Sequence, residues 1–169
     1  SEFGKFVYLD MEEYRDLYLT ADILCQTLGR DGMSDVRAGV ALQAYIPDSF
    51  AVMNRLIRWS NDRVDTGGIP LTIRLVKGAN MEMERVDASI GGHSQAPYKT
   101  KLETDANFKR MLRRLVDAAG KGVVRVSLVL QANLEPRVSL QPGNSLAQML
   151  DEVISTPKHE PAVVISQHV

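Results

Sequence analysis

The chain has 169 residues, enough for one domain with a real core. Apolar residues make up 44% and charged residues 24%, and the net charge of −1 gives no electrostatic reason to expect bulk nucleic-acid or anionic-membrane binding. No apolar run is long enough to span a bilayer, nothing reads as a signal peptide, and the single cysteine, Cys25, excludes an internal disulfide and fits a reducing, cytoplasmic compartment.

The first predicted element is a strand, Lys5-Phe-Val-Tyr-Leu9, closed by Asp10. Glu12 and Glu13 suit the start of a helix. Tyr14, Leu17, Tyr18, Ala21, Leu24, Cys25 and Leu28 recur at helical spacing as one apolar face, with Gly29 as C-cap. Cys25 lies on that face and reads as a core residue rather than a reactive thiol. After a loop, Gly39-Val-Ala-Leu-Gln-Ala-Tyr-Ile46 is a second strand. It is apolar almost throughout, as a parallel strand covered on both faces must be, and Gln43 is its only strongly polar member. Pro47 stops it and Asp48 is placed to cap a helix that turns Phe50, Met53, Leu56 and Ile57 inward.

The third strand, Leu71-Thr-Ile-Arg-Leu-Val, sets Arg74 into an apolar run and is followed by Lys77 and Gly78. Buried cations cost several kcal/mol unless anionic or polar groups meet them. Gly78 permits a sharp exit and a close backbone approach. A helix over 81–90 ends at Gly91-Gly92. Thr100 and Glu103 form a T-x-x-E capping box for a further helix that buries Phe108, Met111, Leu112, Leu115 and Val116. On that helix Lys109, Arg110, Arg113 and Arg114 read as a solvated basic face. Gly122 to Leu130 is a fourth strand. Beyond it the pattern weakens: 134–143 reads as a loop, 145–154 as a short helix and 162–165 as a strand.

The first three strands start about one βα unit apart, near Phe6, Gly39 and Thr72. This alternation predicts an α/β fold with a parallel sheet, of the (β/α) barrel type. In such folds ligands meet the C-terminal ends of the strands. Those ends carry Asp10, Gln43, and Arg74 with Lys77. The set holds cations, an amide and a carboxylate, but no histidine base, thiol or metal cage; His93, His159 and His168 lack ligand spacing. It suits a planar hydrogen-bonding cofactor or a phosphorylated ligand better than acyl transfer. Mutual pairing, Asp10 with Arg74 for instance, remains open, as does a Schiff-base role for Lys77.

Four motifs in order, Tyr8-Leu-Asp-Met-Glu-Glu-Tyr14, Leu42-Gln-Ala-Tyr45, Arg74-Leu-Val-Lys-Gly-Ala79 and Thr100-Lys-Leu-Glu-Thr-Asp105, resemble consecutive motifs of proline dehydrogenase, including the version in bifunctional bacterial proline-utilisation proteins. The resemblance covers about Phe6 to Leu115. It implies part of a distorted (β/α)₈ barrel that holds FAD and oxidises L-proline to Δ1-pyrroline-5-carboxylate by hydride transfer to the flavin, the first step of proline catabolism. A membrane quinone or another acceptor would take the electrons, which implies contact with the inner face of the membrane. A fused aldehyde dehydrogenase domain is implied for the parent protein.

By the same resemblance, Asp10 and Gln43 lie beside the isoalloxazine. Arg74 stabilises the reduced ring, Val76, Lys77, Gly78 and Ala79 line the cofactor, and Thr100 and Lys101 approach its ribose and phosphates. The family motif continues into tyrosine where this chain has Asn80, so an amide replaces an aromatic wall over the substrate. After the fourth strand the family has a Ser/Thr-His-Asn step that touches the flavin, whereas this chain reads Leu130-Gln-Ala-Asn133, in which only Asn133 could correspond. A full barrel takes about 250 residues. The expectation is therefore a partial barrel over 1–126, with about four βα units and a divergent segment over 127–169, as a truncation or frameshift would leave. Its open sheet edges would invite self-association, and an inactive folding or interaction unit is the alternative to an enzyme.

Overall fold

A computed structural model describes residues 5–11, 13–78, 81–92, 97–129 and 164–165. Four parallel strands lie side by side in chain order: β1 (Phe6–Leu9), β2 (Arg37–Gln43), β3 (Leu71–Val76) and β4 (Val124–Val129). A two-residue strand β5 (Val164–Ile165) pairs antiparallel to β4. The strand expected at 162–165 is thus present in its last two residues. The expectations for 134–143 and 145–154, and Asn133 itself, lie outside the described residues.

Helices join the parallel strands as the alternation requires. A short 3-10 turn (Tyr14–Asp16) leads into α1 (Leu17–Leu28), and α2 (Ser49–Asp65) connects β2 to β3. Between β3 and β4 stand α3 (Met81–Gly91) and α4 (Lys101–Gly120). Strand alternation sends Ala38, Val40, Leu42, Leu71, Ile73, Leu75, Val124 and Leu128 to the helix side, where they join Leu56, Met111, Leu112 and Leu115 in the core. Ile73 and Leu75 are fully buried, each worth about 1.5–3 kcal/mol relative to exposure.

Polar side chains fix how the layers dock. Ser60 on α2 donates to the Val123 carbonyl (2.6 Å) and accepts from the Leu71 amide (2.9 Å), joining α2 to the starts of β3 and β4. Arg63, one turn on, is only 8% exposed. Its guanidinium donates to the carbonyls of Leu28, Met33, Ser34, Val36 and Ile69 at 2.6–3.3 Å, and so ties together the two loops that enter β2 and β3. Burial pushes the Arg63 guanidinium below its usual pKa, though an arginine remains charged.

Two local expectations change. Asp48 does not cap α2 with its side chain. Its Oδ2 instead accepts from the hydroxyls of Tyr14 (2.8 Å) and Tyr18 (3.1 Å), a tertiary bond that outcompetes the local one. These contacts raise the pKa of Tyr14, first through the hydrogen bond and then through burial. Tyr18 is accordingly half exposed rather than part of the apolar face, and Cys25 is half-buried, its thiol pushed up by desolvation. The capping box forms as expected: Thr100 Oγ1 accepts from the Glu103 amide (3.2 Å) and Glu103 Oε2 accepts from the Thr100 amide (2.9 Å).

Candidate functional site

The face of the sheet away from the helices carries Phe6 and Tyr8 from β1, Gly39, Ala41 and Gln43 from β2, and Thr72, Arg74 and Val76 from β3. Pairing puts Arg74 opposite Ala41 and Val76 opposite Gln43. Asp10 follows the Leu9–Val40 pair by one residue and so comes level with Ala41. The small side chain of Ala41 lets Arg74 reach across β2, and its guanidinium forms an ion pair with Asp10. The same guanidinium lies 4.9 Å from the centre of the Tyr8 ring, a cation–π contact. Tyr8 in turn packs on Phe6, with ring centres 4.5 Å apart, and covers Gly39, where any Cβ would meet the ring at 2.5 Å.

Gln43 is 3% exposed, and its side-chain nitrogen donates to the Met11 carbonyl at 2.7 Å. That bond holds the segment just after Asp10. A second tie comes from α3, where Glu84 accepts from the Tyr14 amide at 2.6 Å. Gln43 and Glu84 therefore fix the loop that presents Asp10.

The ends of β2 and β3 continue to pair into their loops, with the Ala44 amide on the Val76 carbonyl (2.8 Å) and the Tyr45 amide on the Lys77 carbonyl (3.1 Å). Tyr45 is fully buried and fills the space beside Gly78. A Cβ on Gly78 would stand 2.5 Å from the Tyr45 ring, so the close approach that this glycine allows is made by Tyr45. Asn107 of α4 donates to the Ala44 carbonyl (2.9 Å), and the Tyr98 amide to the Tyr45 carbonyl (2.8 Å), so the β2 loop is fastened from three sides.

Lys77 and Lys101 meet at a residue that sequence reasoning passed over. Asp105, one turn into α4, lies 2.5 Å from Lys77 Nζ through Oδ1 and 3.1 Å from Lys101 Nζ through Oδ2. Burial pushes its carboxyl up, but the hydrogen bonds and charges of the two lysines outweigh that and hold it below its usual pKa. Lys101 and Asp105 stand at i and i+4, a spacing visible in the sequence; the Lys77 contact is not. An ion-paired Lys77 is poorly suited to the free-amine chemistry of a Schiff base. Thr100 spends its hydroxyl inside the capping box, where it also donates to Glu103 (2.8 Å). Ala79 and Asn80 lie outside the described residues.

Among the described residues, no group of histidine, cysteine and carboxylate side chains could hold a metal ion. The donors fit an anionic or acceptor-rich planar ligand. Arg74 Nε is buried without a hydrogen-bond partner among the described residues, and an unmet buried donor costs about 1–3 kcal/mol. Lys77 and Lys101 are paired separately, with Asp105 of α4.

A parallel sheet with helices packed on one face, and with cations and a carboxylate at the strand ends, defines an α/β chain of the (β/α) barrel type. The proline dehydrogenase family model matches residues 1–129, and the chain belongs to that family. Among solved structures it resembles proline utilization A (PutA) from Bdellovibrio bacteriovorus inactivated by N-propargylglycine, with a TM-score of 0.66 and 30% identity over 73% of this chain and 12% of that one. PutA from Corynebacterium freiburgense gives 0.65 and 32% over 88% and 17%. A Bradyrhizobium japonicum PutA mutant, 24% identical with a TM-score of 0.66 over 74% and 12%, shares the fold. The chain spans less than a fifth of each of these PutA chains. No curated protein sequence matches it.

Proposed function

We propose that this chain carries the strand-end half of a flavin site that oxidises L-proline to Δ1-pyrroline-5-carboxylate, the first step of proline catabolism. The observation that carries the proposal is the Arg74–Asp10 bridge over Ala41, with one buried guanidinium donor left over. Asp10, Gln43, Arg74, Val76, Lys77, Gly78, Ala79, Thr100 and Lys101 are the residues assigned to the cofactor. FAD, when bound, supplies the acceptor for the two electrons that proline loses.

The chain's own part is binding and charge placement. Arg74 offers a fixed cation to a ring that gains negative charge on reduction, which favours the reduced state. Asp10 orients Arg74, and Gln43 orients Asp10 through the Met11 carbonyl. Gly78 acts through Tyr45, whose ring it admits. Thr100 contributes through backbone and cap geometry, because its hydroxyl is already engaged. At Asn80 an amide takes the place of an aromatic wall.

The remaining parts of the barrel come from chain beyond the family-like unit, set at 1–126, or from a second copy that covers the open edges. A quinone or another electron acceptor at the inner face of the membrane would be the partner for reoxidation, and a cytoplasmic aldehyde dehydrogenase domain would accompany the unit in the parent protein. Among the described residues, no helix is long and apolar enough to cross a membrane.

The test is to purify the chain with added FAD and record its visible spectrum. Bound flavin that bleaches with L-proline supports the reading, and colourless protein sinks it for this chain. A second reading, an inactive interaction unit, draws on the exposure of Phe6 (40%) and Val7 (53%) on the edge strand β1. It predicts a folded, colourless protein that self-associates.

A further inference from the structure

Two of the candidate site's cations, Lys77 and Lys101, lie outside the Asp10–Arg74 bridge, and one carboxylate, Asp105, pairs with both. Asp105 projects from the second turn of α4 and is half-buried. Its two oxygens face different lysines: Oδ1 takes Lys77, which leaves the end of β3, and Oδ2 takes Lys101, the first residue of α4. Lysine side chains are long and lose much rotamer freedom when held in one place. Neither ammonium would keep one position if left to water. A shared carboxylate holds both at once, one on each oxygen.

The charge balance gives the arrangement direction. Two cations against one anion leave the cluster net positive, so pairing does not cancel its attraction for an anionic ligand. The backbone beneath is hydrogen-bonded on both sides. The Lys77 carbonyl accepts from the Tyr45 amide (3.1 Å), and the capping box fixes the turn that carries Lys101. A contrasting carboxylate lies on the same helix. Asp117 Oδ2 also bridges two cations, Arg114 (3.1 Å) and Lys121 (3.2 Å), but at the far end of α4 from the strand ends.

We infer that Asp105 is a positioning residue of the flavin site: it clamps Lys77 and Lys101 into a preorganised pair of cations for an anionic part of the ligand. The inference rests on the flavin reading for its ligand, and the clamp itself stands on the geometry.

Two measurements on the full chain test it. In the first, ¹⁵N-lysine NMR follows the ammonium signals of Lys77 and Lys101, assigned with Lys77→Met and Lys101→Met. Both signals persist in the unliganded protein, both are lost in Asp105→Asn, and both return in Asp105→Glu. In the second, FAD is titrated into the same proteins. Asp105→Asn weakens FAD binding by about tenfold or more, the scale of a lost charge-assisted contact. Asp105→Glu recovers most of the affinity, and Asp117→Asn changes it less than about twofold.

Ammonium signals that survive in Asp105→Asn overturn the clamp. Signals that vanish while FAD affinity stays unchanged overturn its role at the site and leave a purely structural bridge. If Asp105→Asn does not fold, Lys77→Met decides: loss of the Lys101 signal in that variant leaves no independent clamp on Lys101, and its persistence supports one. Wild-type protein that binds no FAD sinks the flavin reading, and the ammonium signals still decide the clamp.

Discussion

Arg74 lies on β3 and Asp10 just past the end of β1, two strands that do not pair, yet they form an ion pair, because the residue between them on β2 is Ala41. The pair is not a large source of stability. The Asp10 side chain is 54% exposed, and an exposed pair contributes about 1 kcal/mol or less after screening. Its value lies in aiming the guanidinium. Arg74→Met is therefore expected to weaken FAD binding at least about tenfold while changing the urea midpoint little. Arg110→Met, on the outer face of α4, stays within about twofold. Flavin titration decides, and equal losses would mean that the site has been misplaced.

Arg63 does the opposite job at the other end of the sheet. Its guanidinium satisfies carbonyls from the loops before β2 and β3 and touches none of the candidate site residues. Arg63→Met strands those buried carbonyls and is expected to cost about 3–5 kcal/mol. Lysine recovers only part of this, because one ammonium cannot reproduce the planar fork. Urea unfolding measures both. A loss under about 1 kcal/mol for Arg63→Met would show that water replaces the guanidinium without penalty.

These two arginines mark what the sequence makes legible. The four parallel strands and the helices between them follow from apolar spacing, and observed β3 and α3 start where the pattern puts them. Of the candidate site, the sequence shows Arg74 as a cation within an apolar strand and Asp10 at the end of another. The sequence leaves the pairing of Arg74 with Asp10 open, and the structure contains it. Arg63, Asp48 and Asp105 were not readable in their actual roles. Each acts on a partner 27 or more residues away, Arg63 on Val36, Asp48 on Tyr14 and Asp105 on Lys77. Contacts of that kind leave no periodicity. Asp48 shows the cost of reading locally: its position is that of an N-cap, but two tyrosine hydroxyls compete for the same oxygen and win.

Gly78 gives a packing test that separates a backbone role from a ligand role. The Tyr45 ring beside it is fully buried, and the Tyr45 backbone is hydrogen-bonded to Lys77 and Tyr98, so the ring cannot simply swing away. Gly78→Ala is expected to destabilise the fold by about 1–3 kcal/mol, as overpacking does. Gly120, the last residue of α4, has open space around its Cα, and Gly120→Ala is expected to be neutral or to stabilise by up to about 1 kcal/mol. Thermal or urea unfolding of the two variants compares them directly. A Gly78→Ala protein as stable as wild type, with FAD binding lost, would return the space beside Gly78 to the ligand.

The acid limb of stability should carry the signature of Asp105. Desolvation opposes its ionisation, but the hydrogen bonds and charges of Lys77 and Lys101 prevail, and the folded carboxyl titrates below its unfolded value. A depressed carboxyl contributes stability above the unfolded pKa, about 3.9 for aspartate, and loses it as pH falls through the folded pKa. The stability gap between wild type and Asp105→Asn should therefore be flat from about pH 5 to 7 and should close below about pH 4. Partial exposure of all three side chains limits the gap to about 1 kcal/mol. Glu103 is also held low, first by the Thr100 hydrogen bond, but it is present in both proteins and cancels in the difference. Urea unfolding of the two proteins at pH 7, 5 and 3 gives the comparison. A gap that persists unchanged at pH 3 would mean that Asp105 stabilises the fold through something other than its charge.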